Sequence, residues 1–142
     1  LEIAFESGAQ MVTGGSIAVK NPEIFTSWIT KFGPEKIILG ADVKDKKIAI
    51  SGWEETTDKE LIPFIHDYYD NGITKTICTD INRDGMLQEI QEQIPLLYLI
   101  ASGGISSIQD IEKLAEAGIP AVIFGKAIYE GKIQLKDLIR FT

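Results

Sequence analysis

The sequence predicts an α/β fold built on a parallel sheet, and three observations predict it. Short apolar, β-prone runs alternate with stretches of amphipathic helical spacing, about five strands and four clear helices in a repeated β-α order. Alternation of this kind implies a parallel sheet with right-handed crossovers. Three of the runs also break off abruptly into polar residues or glycine: Ile37-Ile38-Leu39-Gly40-Ala41-Asp42, Thr76-Ile77-Cys78-Thr79-Asp80-Ile81-Asn82-Arg83-Asp84-Gly85 and Leu99-Ile100-Ala101-Ser102-Gly103-Gly104. Strand ends of this composition present side chains where parallel sheets carry their chemistry.

In chain order, residues 1–7 read as the end of a helix stopped at Gly8, so the natural N-terminus is expected upstream. Residues 9–13 read as a short strand, followed by Gly14-Gly15-Ser16. Asn21-Pro22-Glu23 opens a helix, with Asn as N-cap and Pro in the first position. Phe25, Trp28, Ile29 and Phe32 form its apolar face, and Gly33-Pro34 ends it. Residues 36–41 form a buried-type strand, and 47–51 a possible hairpin arm. Thr57-Asp58-Lys59-Glu60 is expected to open the next helix, with Leu61, Phe64, Ile65, Tyr68 and Tyr69 inside and Asn71-Gly72 as the cap. Strands follow at 74–79 and 96–101, a helix at 107–117 capped by Gly118, a strand at 121–124, and a short helix at 135–141. The connection between Gly85 and Leu96 is too short for loop, helix and return. Missing residues are therefore expected between about Gln88 and Glu89.

The chain of 142 residues, 44% hydrophobic and 25% charged, suits a single soluble domain. A net charge of −7 with mixed signs argues against nucleic-acid binding and does not suggest membrane attachment. Cys78 is the only cysteine, which excludes an internal disulfide and fits a reducing cytoplasm. No cluster has metal-ligand spacing.

Asp42 ends an apolar strand, where desolvation would raise a carboxyl toward the acid/base range. It reads equally as a turn or capping residue. Asp84 reads alone as a turn residue, and Thr79 as β-prone filler. Gly103-Gly104 leads from a strand into a helix, a setting for backbone anion binding, and Gly125-Lys126 repeats it one strand later. Two such signals in consecutive β-α units resemble the phosphate site after the last two strands of many (βα)8 barrels. Gly15-Ser16 is a third, distant candidate. Trp53 is a stacking platform or loop packing, and His66 a surface or packing residue.

Together these motifs resemble the phosphoribosylformimino-aminoimidazole carboxamide ribonucleotide isomerases of histidine biosynthesis. The resemblance rests on Gly40-Ala41-Asp42-Val43, Ser51-Gly52-Trp53-Glu54-Glu55, Cys78 through Gly85, Ala101 through Ser107 and Gly125 through Gly131, and covers nearly the whole chain. It implies the C-terminal part, strands four to eight, of a (βα)8 barrel. The implied reaction is an Amadori rearrangement of a ribonucleotide with two phosphates, without metal or organic cofactor. Asp42, Thr79 and Asp84 would be catalytic, with Trp53 and Ser102 binding substrate. Gly103, Gly104, Gly125 and Lys126 would bind one phosphate, and Gly15 and Ser16 the other. The family's second catalytic Asp, on strand one, has no counterpart here, so the chain alone is expected to be inactive. A full barrel would be a monomer; a true half barrel could pair into a dimer. The alternatives are the sister cyclase, which needs a glutaminase partner, and a non-catalytic phosphate-binding half barrel.

Overall fold

The computed structural model describes residues 1–50, 55–80 and 85–141. Its strands are β1 (Val12–Gly14), β2 (Ile37–Lys44), β3 (Lys47–Ile50), β4 (Glu55–Glu60), β5 (Lys75–Asp80), β6 (Tyr98–Ser102) and β7 (Ala121–Ile123). Five of them run parallel, in the order β1-β2-β5-β6-β7. This is the β-α alternation expected of part of a (βα)8 barrel wall. β3 and β4 form an antiparallel arm off β2.

The arm arises because β2 does not stop at Asp42. It runs on to Lys44 and turns back through Asp45-Lys46. Both turn residues have positive φ, 52° and 65°, the mirror-image two-residue turn that matches the twist of a hairpin. Neither is glycine, so the sequence gives little warning of it. Residues 57–60, expected to open a helix, instead finish β4, and the helix begins at Leu61. Cross-strand pairing with β3 overrides the capping pattern of Thr57-Asp58-Lys59-Glu60.

Helices cover one face of the sheet. They include α1 (Glu2–Glu6), α2 (Ser16–Lys20), α3 (Pro22–Phe32), α4 (Leu61–Asp70), α5 (Met86–Gln93), α6 (Ile108–Glu116) and α7 (Lys126–Tyr129). Asn21 takes the N-cap position of α3, but its side chain makes no capping bond. The last segment, Leu135–Phe141, is a 3-10 helix. The β5–β6 link, read as too short, carries the eight-residue α5. Among the described residues no helix is long and apolar enough to cross a membrane.

Strand residues alternate between the two faces. Ile37, Leu39, Ala41 and Val43 of β2 are buried against the helices, as are Cys78, Leu99 and Ala101 on the neighbouring strands. From the helix side, Phe25, Ile29, Leu61, Phe64, Ile65 and Tyr68 meet them, in line with the predicted inner faces. Gly33, Gly72 and Gly118 end their helices with positive φ, where a glycine escapes the Cβ clash.

Tyr68 fastens three helices together. Its ring meets Phe25 and Phe64 edge-on at 5.0 and 5.3 Å, and its hydroxyl donates to the Ala18 carbonyl at 2.7 Å. Tyr68→Phe leaves that carbonyl unpaired and should cost about 1–2 kcal/mol. Burial, reinforced by the Asp67 charge, raises the phenol above its ordinary pKa. The folded state thus keeps its proton after the unfolded chain has lost it. This contribution is full below the ordinary value near 10 and falls as pH rises past it. Denaturant titrations at about pH 8 and about pH 10.5 should show the gap between wild type and Tyr68→Phe narrowing. An unchanged gap would contradict the assignment.

Candidate active site

Strand register builds the site. Asp42 pairs with Thr79, Thr79 with Ser102, and Ser102 with Ile123. Directly paired residues of parallel strands share a face. The four therefore form one row across β2, β5, β6 and β7, on the face opposite the helices. Adjacent strands lie about 4.8 Å apart, so the polar part of the row, Asp42 to Ser102, spans roughly 10 Å. Beneath it lies a second row of small and apolar residues, Gly40, Ile77, Ile100 and Ala121. The arrangement is a polar layer on an apolar floor.

Asp42, Thr79 and Ser102 are each half-buried. Among the described residues none of the three side chains takes part in a hydrogen bond or ion pair. An unpaired strand carboxylate flanked by hydroxyls can accept or donate a proton, and the hydroxyls can orient a polyol. The sequence pointed to these three residues. It did not point to Ile123, 47% exposed at the far end of the row. Only the register reveals that neighbour.

The glycine loops stand at the two ends of the row. At the β1 end, Gly15 occupies the N-cap of α2 and Ser16 its first position. A Cβ on Gly40 would come within 3.1 Å of the Gly15 Cα, so the missing side chain lets this loop lie against β2. At the other end, Gly103 and Gly104 have φ of 82° and 61°, a left-handed pair that turns β6 toward α6.

The start of α6 is already occupied. Asp110 accepts the N–H groups of Ser106 and Ser107, both at 2.9 Å, and Ser107 Oγ accepts the Asp110 N–H at 3.3 Å. This reciprocal capping box commits the N–H groups of Ser106 and Ser107 to Asp110. No loop or cap hydrogen bond among the described residues uses the N–H of Gly103 or Gly104. Gly125 is the N-cap of α7. The Lys126 ammonium reaches along its own helix to Glu130 at 3.5 Å and is 87% exposed. Glu130 also binds Lys132 at 2.6 Å, and that hydrogen-bonded ammonium holds its carboxyl below the usual range. Trp53 and Asp84 lie outside the described residues. His66 is exposed and pairs with Asp70 at 3.2 Å, a surface role as expected.

The family profile described as Histidine biosynthesis protein matches residues 1–134. The chain belongs to this family. Within it, the chain is 80% identical over 150 aligned positions to a protein of Parabacteroides distasonis, covering all of this chain and 63% of that one. It is 62% identical over 149 positions to a Bacteroides fragilis protein and 57% identical over 146 to one from Flavobacterium johnsoniae. These matches cover 99% and 97% of this chain, and 62% and 61% of the relatives. All three carry the name 1-(5-phosphoribosyl)-5-((5-phosphoribosylamino)methylideneamino) imidazole-4-carboxamide isomerase. The chain thus spans less than two thirds of the length of these curated relatives.

Proposed function

We propose that the complete protein is an aldose–ketose isomerase of histidine biosynthesis, acting on a ribonucleotide with a phosphate at each end. The row of Asp42, Thr79 and Ser102 between two glycine loops carries this reading. The names of the relatives favour it over the cyclase and over a non-catalytic half barrel.

The reaction is an Amadori rearrangement. An acid protonates the ribose ring oxygen, the C1–O bond breaks, and the nitrogen lone pair forms an iminium at C1. A base then removes the C2 proton. The C2–H electron pair becomes the C1–C2 double bond, and the iminium electrons return to nitrogen. Loss of the enol proton and protonation at C1 give the aminoketose, so atoms and electrons balance without an external reductant or cofactor. Asp42 supplies one half of the acid/base pair. The resemblance assigns the other half to a strand-one Asp outside this chain. Thr79 and Ser102 hydrogen-bond the sugar hydroxyls, and the resemblance adds Asp84 and Trp53. The enzyme works in the cytoplasm.

The loops favour a ligand held at both ends. From β1 to β7 are four strand spacings, about 19 Å along a flat sheet and less along a curved one. Each relative's name contains two phosphoribosyl groups joined through an imidazole. In the full-length protein, removing either terminal phosphate from the ligand should weaken Kd by roughly 10- to 100-fold. Calorimetric titration checks this. An unchanged Kd after loss of one phosphate would contradict two-ended binding.

A further inference from the structure

Ile123 closes the row begun by Asp42, Thr79 and Ser102, and it is the row's apolar member. Its side chain can neither carry a proton nor make a hydrogen bond, yet it is 47% exposed. Its neighbours on β7 fix the direction in which it points. Val122 packs into both apolar clusters under the helices, and Phe124 packs against the cluster of Ile111, Ala127 and Ile133. Ile123, between them, faces the open side and belongs to neither cluster. A β-branched side chain is stiff at χ1, so it offers a fixed apolar surface there.

Glycine turns bracket this surface. Ser102, the register partner of Ile123, runs directly into Gly103-Gly104. Gly125, the N-cap of α7, follows two residues after Ile123. On the same face, Ala121 and its partner Ile100 continue the apolar floor. The β6–β7 end of the row is therefore apolar apart from Ser102, while the β2–β5 end carries the carboxylate and the Thr79 hydroxyl. Three strand spacings, about 14 Å on a flat sheet, separate Ile123 from Asp42.

On the isomerase reading above, we infer that Ile123 is a specificity-determining residue. It is the apolar wall on which the C–H face of a phosphate-bearing sugar lies when the Gly103-Gly104 and Gly125 loops hold that phosphate. A phosphate ester at these loops carries its methylene and ring hydrogens toward the row, and Ile123 is the side chain that stands between the two turns. The contact selects a phosphate carried on a carbon skeleton over inorganic phosphate. It acts in binding and not in proton transfer, because Asp42 lies at the other end of the row.

The test uses the full-length protein. It measures Kd for the two-phosphate ribonucleotide by calorimetry, Ki for inorganic phosphate by competition, and kcat. Ile123→Ala removes most of the apolar surface and should weaken ribonucleotide binding about tenfold. The Ki of inorganic phosphate should stay within about twofold and kcat within about threefold of wild type. Ile123→Val keeps the β-branched surface and should hold the ribonucleotide Kd within about threefold of wild type. An Ile123→Ala Kd within about twofold of wild type would overturn the inference. So would an equal weakening of inorganic phosphate, which would place the effect in the loops and not in the contact. A wild-type protein that does not bind the ribonucleotide would overturn the isomerase reading, and this inference with it, so the wild-type titration tells the two failures apart.

Discussion

The Asp42→Asn variant of the full-length protein should bind the two-phosphate ribonucleotide with a Kd within about threefold of wild type and lose roughly 10²- to 10⁴-fold in kcat. Asparagine keeps the size and a carbonyl oxygen of the side chain, but it cannot take up or release the proton. Asp42 is also positioned to matter. It sits on the open face, half-buried, without a hydrogen bond or ion pair among the described residues, in line with Thr79 and Ser102. On the proposed reading the loops at the two ends of the row hold the phosphates, so binding should fall little. Separate measurement of Kd and single-turnover rate distinguishes the effects. A kcat within twofold of wild type would remove Asp42 from the chemistry.

The second large effect concerns the support of the row. Gly14→Ala should destabilise the protein by about 2–3 kcal/mol, lowering Tm by roughly 5–10 °C. A Cβ at Gly14 would lie 2.5 Å from Phe25 Cε2 and 2.9 Å from Cδ2. Phe25 is fully buried, and its ring is fixed by Tyr68 at 5.0 Å and Trp28 at 5.8 Å, so it has nowhere to retreat. The strain would pass to the end of β1, beside Gly15 and Ser16. If overpacking against the ring is the cause, Gly14→Ala combined with Phe25→Leu should be less destabilised than the sum of the two changes. Additive thermal shifts would place the cost elsewhere.

Much of this molecule was legible from its chain, for identifiable reasons. The helices declared themselves because Phe25, Ile29, Leu61, Phe64, Ile65 and Tyr68 recur at helical spacing and are buried where that spacing puts them. Asp42, Thr79 and Ser102 were legible because each follows an apolar run that must stay inside, so the first polar residue marks the approach to the strand end. Their common row is a matter of register, which depends on contacts between distant segments. The β3–β4 arm was half hidden for the same reason. The Asp45-Lys46 turn uses residues that rarely adopt positive φ, and Thr57-Asp58-Lys59-Glu60 looks like a helix start until its pairing partner is known. The Lys126–Glu130 pair was not legible as such, because a lysine after glycine suggests an anion while its carboxylate partner one helical turn on belongs to a segment too short to read as a helix. The capping box at Ser107 and Asp110 has a local sequence signal, a serine three residues before an aspartate at the start of an apolar-periodic run.

Direct observation of the rearrangement tests the central claim. The full-length protein is incubated with the aminoaldose ribonucleotide, carbon-13 labelled at the second sugar carbon, and followed by NMR. The account predicts that the carbinol signal gives way to a ketone signal with no added metal or cofactor, and that Asp42→Asn slows this by at least about 100-fold. Persistence of the carbinol signal with wild-type protein, under conditions where titration shows the site saturated, would contradict it.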